Sequence, residues 1–239
     1  MFPYDPALLA AVTSPPASID DVVRAMEAID AACVDTDGLK WFNWLYLEVT
    51  RAVEARVAAG GFQDPAWLAV LDVRFAALYF GALKARLSDE GSVPECWQVL
   101  FDRRSQSAIA RIQFALAGMN AHINRDLSVA LVAMGSAPVH GGEHYMDYTA
   151  VNTTLDALVD TARQTLNVRL PGDKLPEVSR LEDTIAAFSL SAARENAWNK
   201  AEVLWSLGGL PDLRARTMQA EDGLAAVIGK ALLVPAPWS

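Results

Sequence analysis

The chain is poor in the residues and runs that usually announce a chemistry. It has only two cysteines and three histidines among 239 residues. Cys33 and Cys96 stand alone, in neither a CxxC pair nor a dense framework, so the sequence indicates no disulfide scaffold. Basic residues are scarce too. The 20 Lys and Arg against 29 Asp and Glu leave a formal charge of −9, and no local cluster of cations offsets it, which argues against nucleic acid and anionic membranes as partners. No apolar run reaches the roughly eighteen residues that span a bilayer. The opening stretch MFPYDPALLAAVTSPPAS lacks the basic residues of a secretory signal, and Pro3, Pro6, Pro15 and Pro16 break its short apolar run. A soluble, cytoplasmic protein is expected. There is no Walker loop, dinucleotide fingerprint or GxSxG elbow, and without the elbow a serine-hydrolase reading loses its main support.

What the chain does have is helical periodicity, in a composition that is 52% hydrophobic and 21% charged, as in globular proteins. Ser18, with Asp21 three residues on, reads as a cap opening a helix through about Ala32. A second helix runs from about Leu39 to Ala59, where Gly60 and Gly61 stop it. Asp64 followed by Pro65 is an N-cap with proline at the first helical position, starting a helix that ends near Ser88. Pro94 opens a short helix carrying Trp97, and a long helix is expected from about Ser105 to Met134. Helical spacing resumes from Asp147 to about Val168. The loop RLPGDKLPEVS then precedes a helix from about Arg180 to Leu207, ended by Gly208, Gly209 and Pro211. One or two short helices precede the tail at Pro235–Trp238. No strand run, internal repeat or low-complexity segment is visible. The pattern implies an all-α fold, a single-domain bundle of six to nine helices over residues 1–239, with an N-terminal arm at 1–17 and a Gly- and His-rich loop at 135–146 that could serve as a lid.

Several polar side chains fall on faces that should be buried. At about 100° per residue, Leu68, Phe75, Ala76, Tyr79 and Leu83 make one apolar stripe with Asp72 near its centre, a costly place for an ionised carboxylate that is neither paired nor metal-bound. His122 and Asp126 border the stripe of the long helix, with Arg111 and Ala115 on the same flank, and Gly118 beside them permits a close approach. Asn43, Tyr46, Tyr148, Asn152, Arg194 and Trp198 point inward on other helices. An internal polar pocket is therefore expected. Trp41, Trp44 and Trp67 lie off the core stripes, which leaves a homo-oligomer or other partner open.

His122 and Asp126 are one turn apart and can act as a carboxylate-oriented base or acid; together with Asp72 they can also make a one-His, two-carboxylate site for a divalent metal. His140-Gly141-Gly142-Glu143-His144 matches the HxxEH pattern of inverted zinc peptidases in letters only, because consecutive glycines disfavour the helix that chemistry requires.

The blocks WFNWLYLEVT from Trp41, FQDPAWLAVLDVRFAALYFGAL from Phe62, IQFALAGMNAHINRDLSVAL from Ile112, DYTAVN from Asp147 and AARENAWNKAEVLW from Ala192 resemble, in family-like order, the bacterial helical family DUF5995, whose function is unknown. The resemblance implies that Asp72, Asn120, His122, Asp126, Asn152, Arg194 and Trp198 belong to family motifs. It implies no activity. The expectation is an enzyme acting on a small, largely apolar molecule held between helices. His122, Asp126, Asp72 and Arg194 would be its catalytic group, and Asn43, Tyr46, Tyr79, Asn120, Tyr148, Asn152 and Trp198 would line the substrate. Two alternatives remain at this level: a metal-dependent hydrolase using Asp72, His122 and Asp126, and a non-catalytic binding or interaction module whose buried ion pairs are structural.

Overall fold

In the computed structural model, residues 2–167 and 189–235 are described, and among them every regular element is helical. The elements are α1 (Asp5–Ala11), α2 (Ile19–Ala32), α3 (Gly38–Ala58), α4 (Pro65–Ser88), α5 (Glu95–Arg103), α6 (Arg111–Ala121), a π turn (His122–Asp126), α7 (Leu127–Ala133), α8 (Glu143–Asn167), α9 (Leu190–Ser206), a 3₁₀ turn (Leu207–Gly209) and α10 (Pro211–Leu232). The expected loop at RLPGDKLPEVS and the start of the expected Arg180 helix lie outside the described residues.

Local chemistry sets most of the boundaries. The Ser18 hydroxyl accepts from the Asp21 amide at 3.2 Å, and the Asp21 carboxylate accepts in return from the Ala17 amide at 3.0 Å. Asp64 accepts from the Trp67 amide at 2.9 Å, with Pro65 at the first helical position. Two helix starts are capped from far along the chain. Asp222 of α10 accepts from the amides of Glu95 and Cys96 at 2.8 and 3.0 Å, and Asp147 of α8 accepts from those of Gln63 and Asp64 at 2.8 and 2.6 Å.

Two expectations need correcting, and two further findings add to the rest. The long helix begins at Arg111, six residues later than expected, where Gln113 accepts from the Ala110 amide at 2.9 Å; it is also interrupted, because residues His122–Asp126 form a π turn in which the Leu127 amide reaches back to the His122 carbonyl. The chain closes with one 22-residue helix, α10, in place of one or two short ones. The N-terminal arm is folded: α1 buries Leu8 completely, and Val12 is nearly as covered. Finally, α4 is long and apolar enough by length and composition to cross a membrane, although it packs against α1, α2, α3, α7 and α8, with Leu68, Leu71, Phe75, Ala76, Tyr79, Phe80 and Leu83 buried.

The central rod runs through α6, the π turn and α7, and the α6 residues from Phe114 to Ala121 are all buried. It crosses α3 closely because position 118 is glycine: a Cβ there would run into the Phe42 ring. On the opposite flank α10 is docked by Asn120, which donates to the Ala225 carbonyl at 2.7 Å and accepts from Asn124 at 3.0 Å. Trp41, expected off the core, is buried beneath the Arg111 guanidinium at 3.9 Å, and its indole donates to the Asp35 carbonyl at 3.2 Å.

Candidate functional site

The π turn presents a histidine–carboxylate pair in the core. His122 and Asp126 are both fully buried, with His122 Nδ1 and Asp126 Oδ2 3.1 Å apart. The same Asp126 oxygen accepts from the Trp97 indole at 2.9 Å, and the other accepts from Arg125 at 2.5 Å. With its oxygens committed as acceptors, Asp126 calls for a hydrogen on Nδ1 and leaves the Nε2 lone pair bare in the neutral ring. Nε2 has no hydrogen-bond partner. The imidazole lies flat on Phe75, centroids 3.5 Å apart and planes 7° apart, with Tyr46 edge-on at 4.5 Å. Burial holds its pKa below the ordinary 6.5, against the upward pull of Asp126, so the ring is neutral at physiological pH. Side chains from elsewhere take up carbonyls of the wide turn: Lys200 of α9 donates to that of Asn124 at 2.9 Å, and Ser128 to that of Arg125 at 3.1 Å.

A cavity of about 50 Å³ adjoins this pair, between α3, α4, α6, α8 and α9. Its wall is chiefly aliphatic and aromatic, with Tyr46, Asp72, His122 and Arg194 as the polar or charged exceptions. Three of these four carry a buried polar atom with no partner: the Tyr46 hydroxyl, Asp72 Oδ2 and His122 Nε2. Thr50 Oγ1, one turn beyond Tyr46 on α3, is also buried without a partner. Buried polar groups are nearly always satisfied, yet these three, on residues that line one cavity, lack a partner at bonding geometry, although the Thr50 hydroxyl acts on the Tyr46 phenol. Burial, with help from the charge of Glu54 and against that of Arg194, pushes the Asp72 carboxyl up to about 7. Burial also raises the Tyr46 phenol well above its usual range, with the charges of Asp72 and Asp126 acting the same way.

Arg194 reaches the cavity wall but forms no ion pair with Asp72 or Asp126 within 4 Å. Its Nε donates to Asn152 at 2.8 Å, another nitrogen donates to the Tyr148 carbonyl at 2.7 Å, and its guanidinium lies over the Tyr148 ring at 4.2 Å. Of the residues expected on the substrate, only Tyr46 is on this wall. Asn43 bonds the Met26 carbonyl at 2.9 Å and receives the Tyr79 hydroxyl at 3.4 Å; the Tyr148 hydroxyl donates to the Arg194 carbonyl at 2.6 Å; Asn120 and Asn152 are engaged as described, and the Trp198 indole donates to Glu202 at 3.1 Å. The metal trio is not assembled. Among the described residues no group of three His, Cys, Asp or Glu side chains is placed to hold an ion, and His122 turns one nitrogen to Asp126 rather than both residues turning to a shared point.

The HxxEH letters likewise resolve into unrelated contacts. His140, in the turn before α8, bridges Glu195 and Glu202 at 2.8 and 2.7 Å, whereas His144, already inside α8, stacks on Trp67 at 4.4 Å.

Sequence reasoning missed a second buried charge cluster. The Arg104 guanidinium grips Asp37 through two nitrogens, at 2.6 to 3.1 Å, and Asp5 at 2.9 Å; the Tyr4 hydroxyl adds a bond to Asp37 at 3.0 Å. Asp37 could be read as a helix cap, but nothing local marks Arg104 as its partner 67 residues away.

Fold and site together define an all-α helical bundle carrying a buried His–Asp pair on a π turn beside a small cavity. The chain belongs to the family of unknown function DUF5995, whose model matches residues 19–235. Neither the curated proteins nor the solved structures contain a match.

Proposed function

We propose that the protein is a soluble enzyme that binds a small, largely apolar molecule against the cavity beside the π turn and acts on it by acid–base chemistry, with His122 Nε2 as the base. One observation carries this reading: the unpartnered Tyr46 hydroxyl, Asp72 Oδ2 and His122 Nε2 sit on residues that share one cavity wall. A structural network would satisfy those atoms; a site awaiting a polar group on an apolar substrate leaves them open. Asp126 fixes the tautomer and orientation of the ring and stabilises the imidazolium once Nε2 has taken a proton. Asp72, raised to about 7, supplies a proton or hydrogen bond on the other side of the reacting group, and Tyr46 a second donor. Arg194, held by Asn152 and the Tyr148 carbonyl, sets the electrostatic background of the cavity. The cavity is small, so it receives the reacting end of the substrate while the rest displaces the aliphatic wall of α3 and α8.

The test is untargeted mass spectrometry of small-metabolite extracts incubated with the wild type and with His122→Ala. The wild type should convert at least one metabolite, and the variant, with its helical circular dichroism intact, should lose roughly 10²–10⁴-fold in rate. Turnover of that metabolite at the wild-type rate by His122→Ala removes the proposal.

A further inference from the structure

Two arginines at the core are matched with carboxylates: Arg104 grips Asp37 and Asp5, and Arg125 bonds Asp126. Burial works against the charge of each, yet their carboxylates hold both guanidinium groups above their ordinary pKa. Arg194 is different. It is only 7% exposed, and burial lowers its pKa, with Tyr148 and the more distant Asp72 pulling weakly the other way. Both of its bonds go to neutral acceptors, the Asn152 amide oxygen and the Tyr148 carbonyl, and among the described residues no carboxylate comes within 4 Å of it. Nη1 joins neither bond, yet it is not one of the sealed core atoms that lack a partner, so the guanidinium keeps an open edge. Arg194 lines the cavity beside the π turn, among aliphatic and aromatic side chains. A cation without a counter-ion in such a chamber is costly, and an entering anion removes that cost.

We infer that Arg194 anchors the carboxylate of a small apolar acid, so that the substrate of the His122 site is a carboxylic acid with an aliphatic or aromatic body; the anion site stands on Arg194 itself, and only its assignment to the substrate rests on the proposed function. A planar carboxylate matches the edge of a guanidinium. Asp72 shares the wall without touching Arg194, and burial raises its carboxyl to about 7, so near neutrality it supplies only part of a countercharge and, when protonated, a second donor to the incoming anion. The cavity of about 50 Å³ admits a carboxylate and the first carbons of its body. Phosphate is larger and more highly charged, and it would meet the charge of Glu54 that already acts on Asp72.

Butanoate, hexanoate and phenylacetate are suitable probes, with their amides as neutral matches, titrated at millimolar concentration into the full chain with ¹⁵N-labelled arginine. The Arg194 Nε–H cross-peak, assigned through Arg194→Lys, should shift in a saturable manner with at least one acid, which should bind roughly tenfold or more tightly than its amide. Arg194→Lys keeps the charge but loses the fork, and should weaken that acid roughly five- to tenfold. No saturable binding of any acid, or equal affinity for acid and amide in the wild type, overturns the anchor however the variant folds. Unchanged acid affinity in a folded Arg194→Lys, or inorganic phosphate binding as tightly as the acids, overturns it too. Turnover of a neutral metabolite without any response to the acids overturns the anchor and leaves His122 its role, whereas acid binding without turnover of any metabolite supports the anchor and counts against the base.

Discussion

At the scale of single residues, Asp72 and His122 face one cavity and respond to pH in opposite senses. The folded pKa of Asp72, about 7, lies above its ordinary 3.8. The folded state therefore keeps a proton that the unfolded chain releases, and the resulting stabilisation is complete below pH 3.8 and lost as pH rises through about 7. His122 is depressed, so the unfolded chain takes up a proton first, and stability falls as pH drops below 6.5. Asp72→Asn removes the first dependence. Urea denaturation at a pH above 7 should find it about 1–3 kcal/mol more stable than the wild type, and a loss of stability there would mean that the carboxylate is paired. Sequence could place Asp72 on a buried stripe and His122 beside Asp126, because both follow from helical spacing. It could not show that Arg194 is claimed by Asn152 and Tyr148, or that Asn43, Asn120, Tyr79 and Trp198 spend their polar atoms on neighbours, since those partners come from other helices.

At the scale of elements, caps made nearby were legible and caps made at a distance were not. Ser18 and Asp64 announced α2 and α4, but the start of α5 depends on Asp222, more than a hundred residues later. The π turn left no trace in the hydrophobic pattern, because the stripe through Met119, Ile123 and Leu127 keeps its spacing across it. Gly118 tests the α3–α6 crossing. Gly118→Ala must displace Phe42, whose ring lies 5.9 Å from His122, and should cost about 1–3 kcal/mol in denaturant unfolding while changing the His122 imidazole resonances. Stability at the wild-type level would mean that the crossing has slack. The His140 bridge to α9 responds to pH in its own way. Glu195 and Glu202 of α9 face His140, with Tyr145 of α8 alongside, and their hydrogen bonds raise its pKa above 6.5. The protonated ring bonds both carboxylates, so the bridge is complete below pH 6.5 and loosens as pH rises through the raised value. Amide exchange of residues 135–142 should therefore quicken relative to α8 as pH increases, once the intrinsic rate is removed; a constant ratio would mean that the bridge does not hold the turn.

At the scale of the whole molecule, the Arg104 cluster ties α1 and the start of α3 to the end of α5, and Phe2 packs over the guanidinium at 4.6 Å. Arg104→Ala strands Asp37, which is completely buried, and should cost about 3–5 kcal/mol in chemical denaturation and free the first residues to proteases. An intact N-terminus under limited proteolysis would show that apolar packing of Leu8 and Val12 suffices. The π turn bears on the molecule in another way. Such a turn amounts to an α-helix with one residue to spare, so the phase between the two halves of the central rod is stored in chain length and not in any side chain. Excising Asn124 would take out the spare residue, so the rod would relax to ordinary winding with α7 nearly in its present phase; what would go is the wide turn itself, with the carbonyls that Lys200 and Ser128 take up and the four-residue spacing that sets His122 on Asp126.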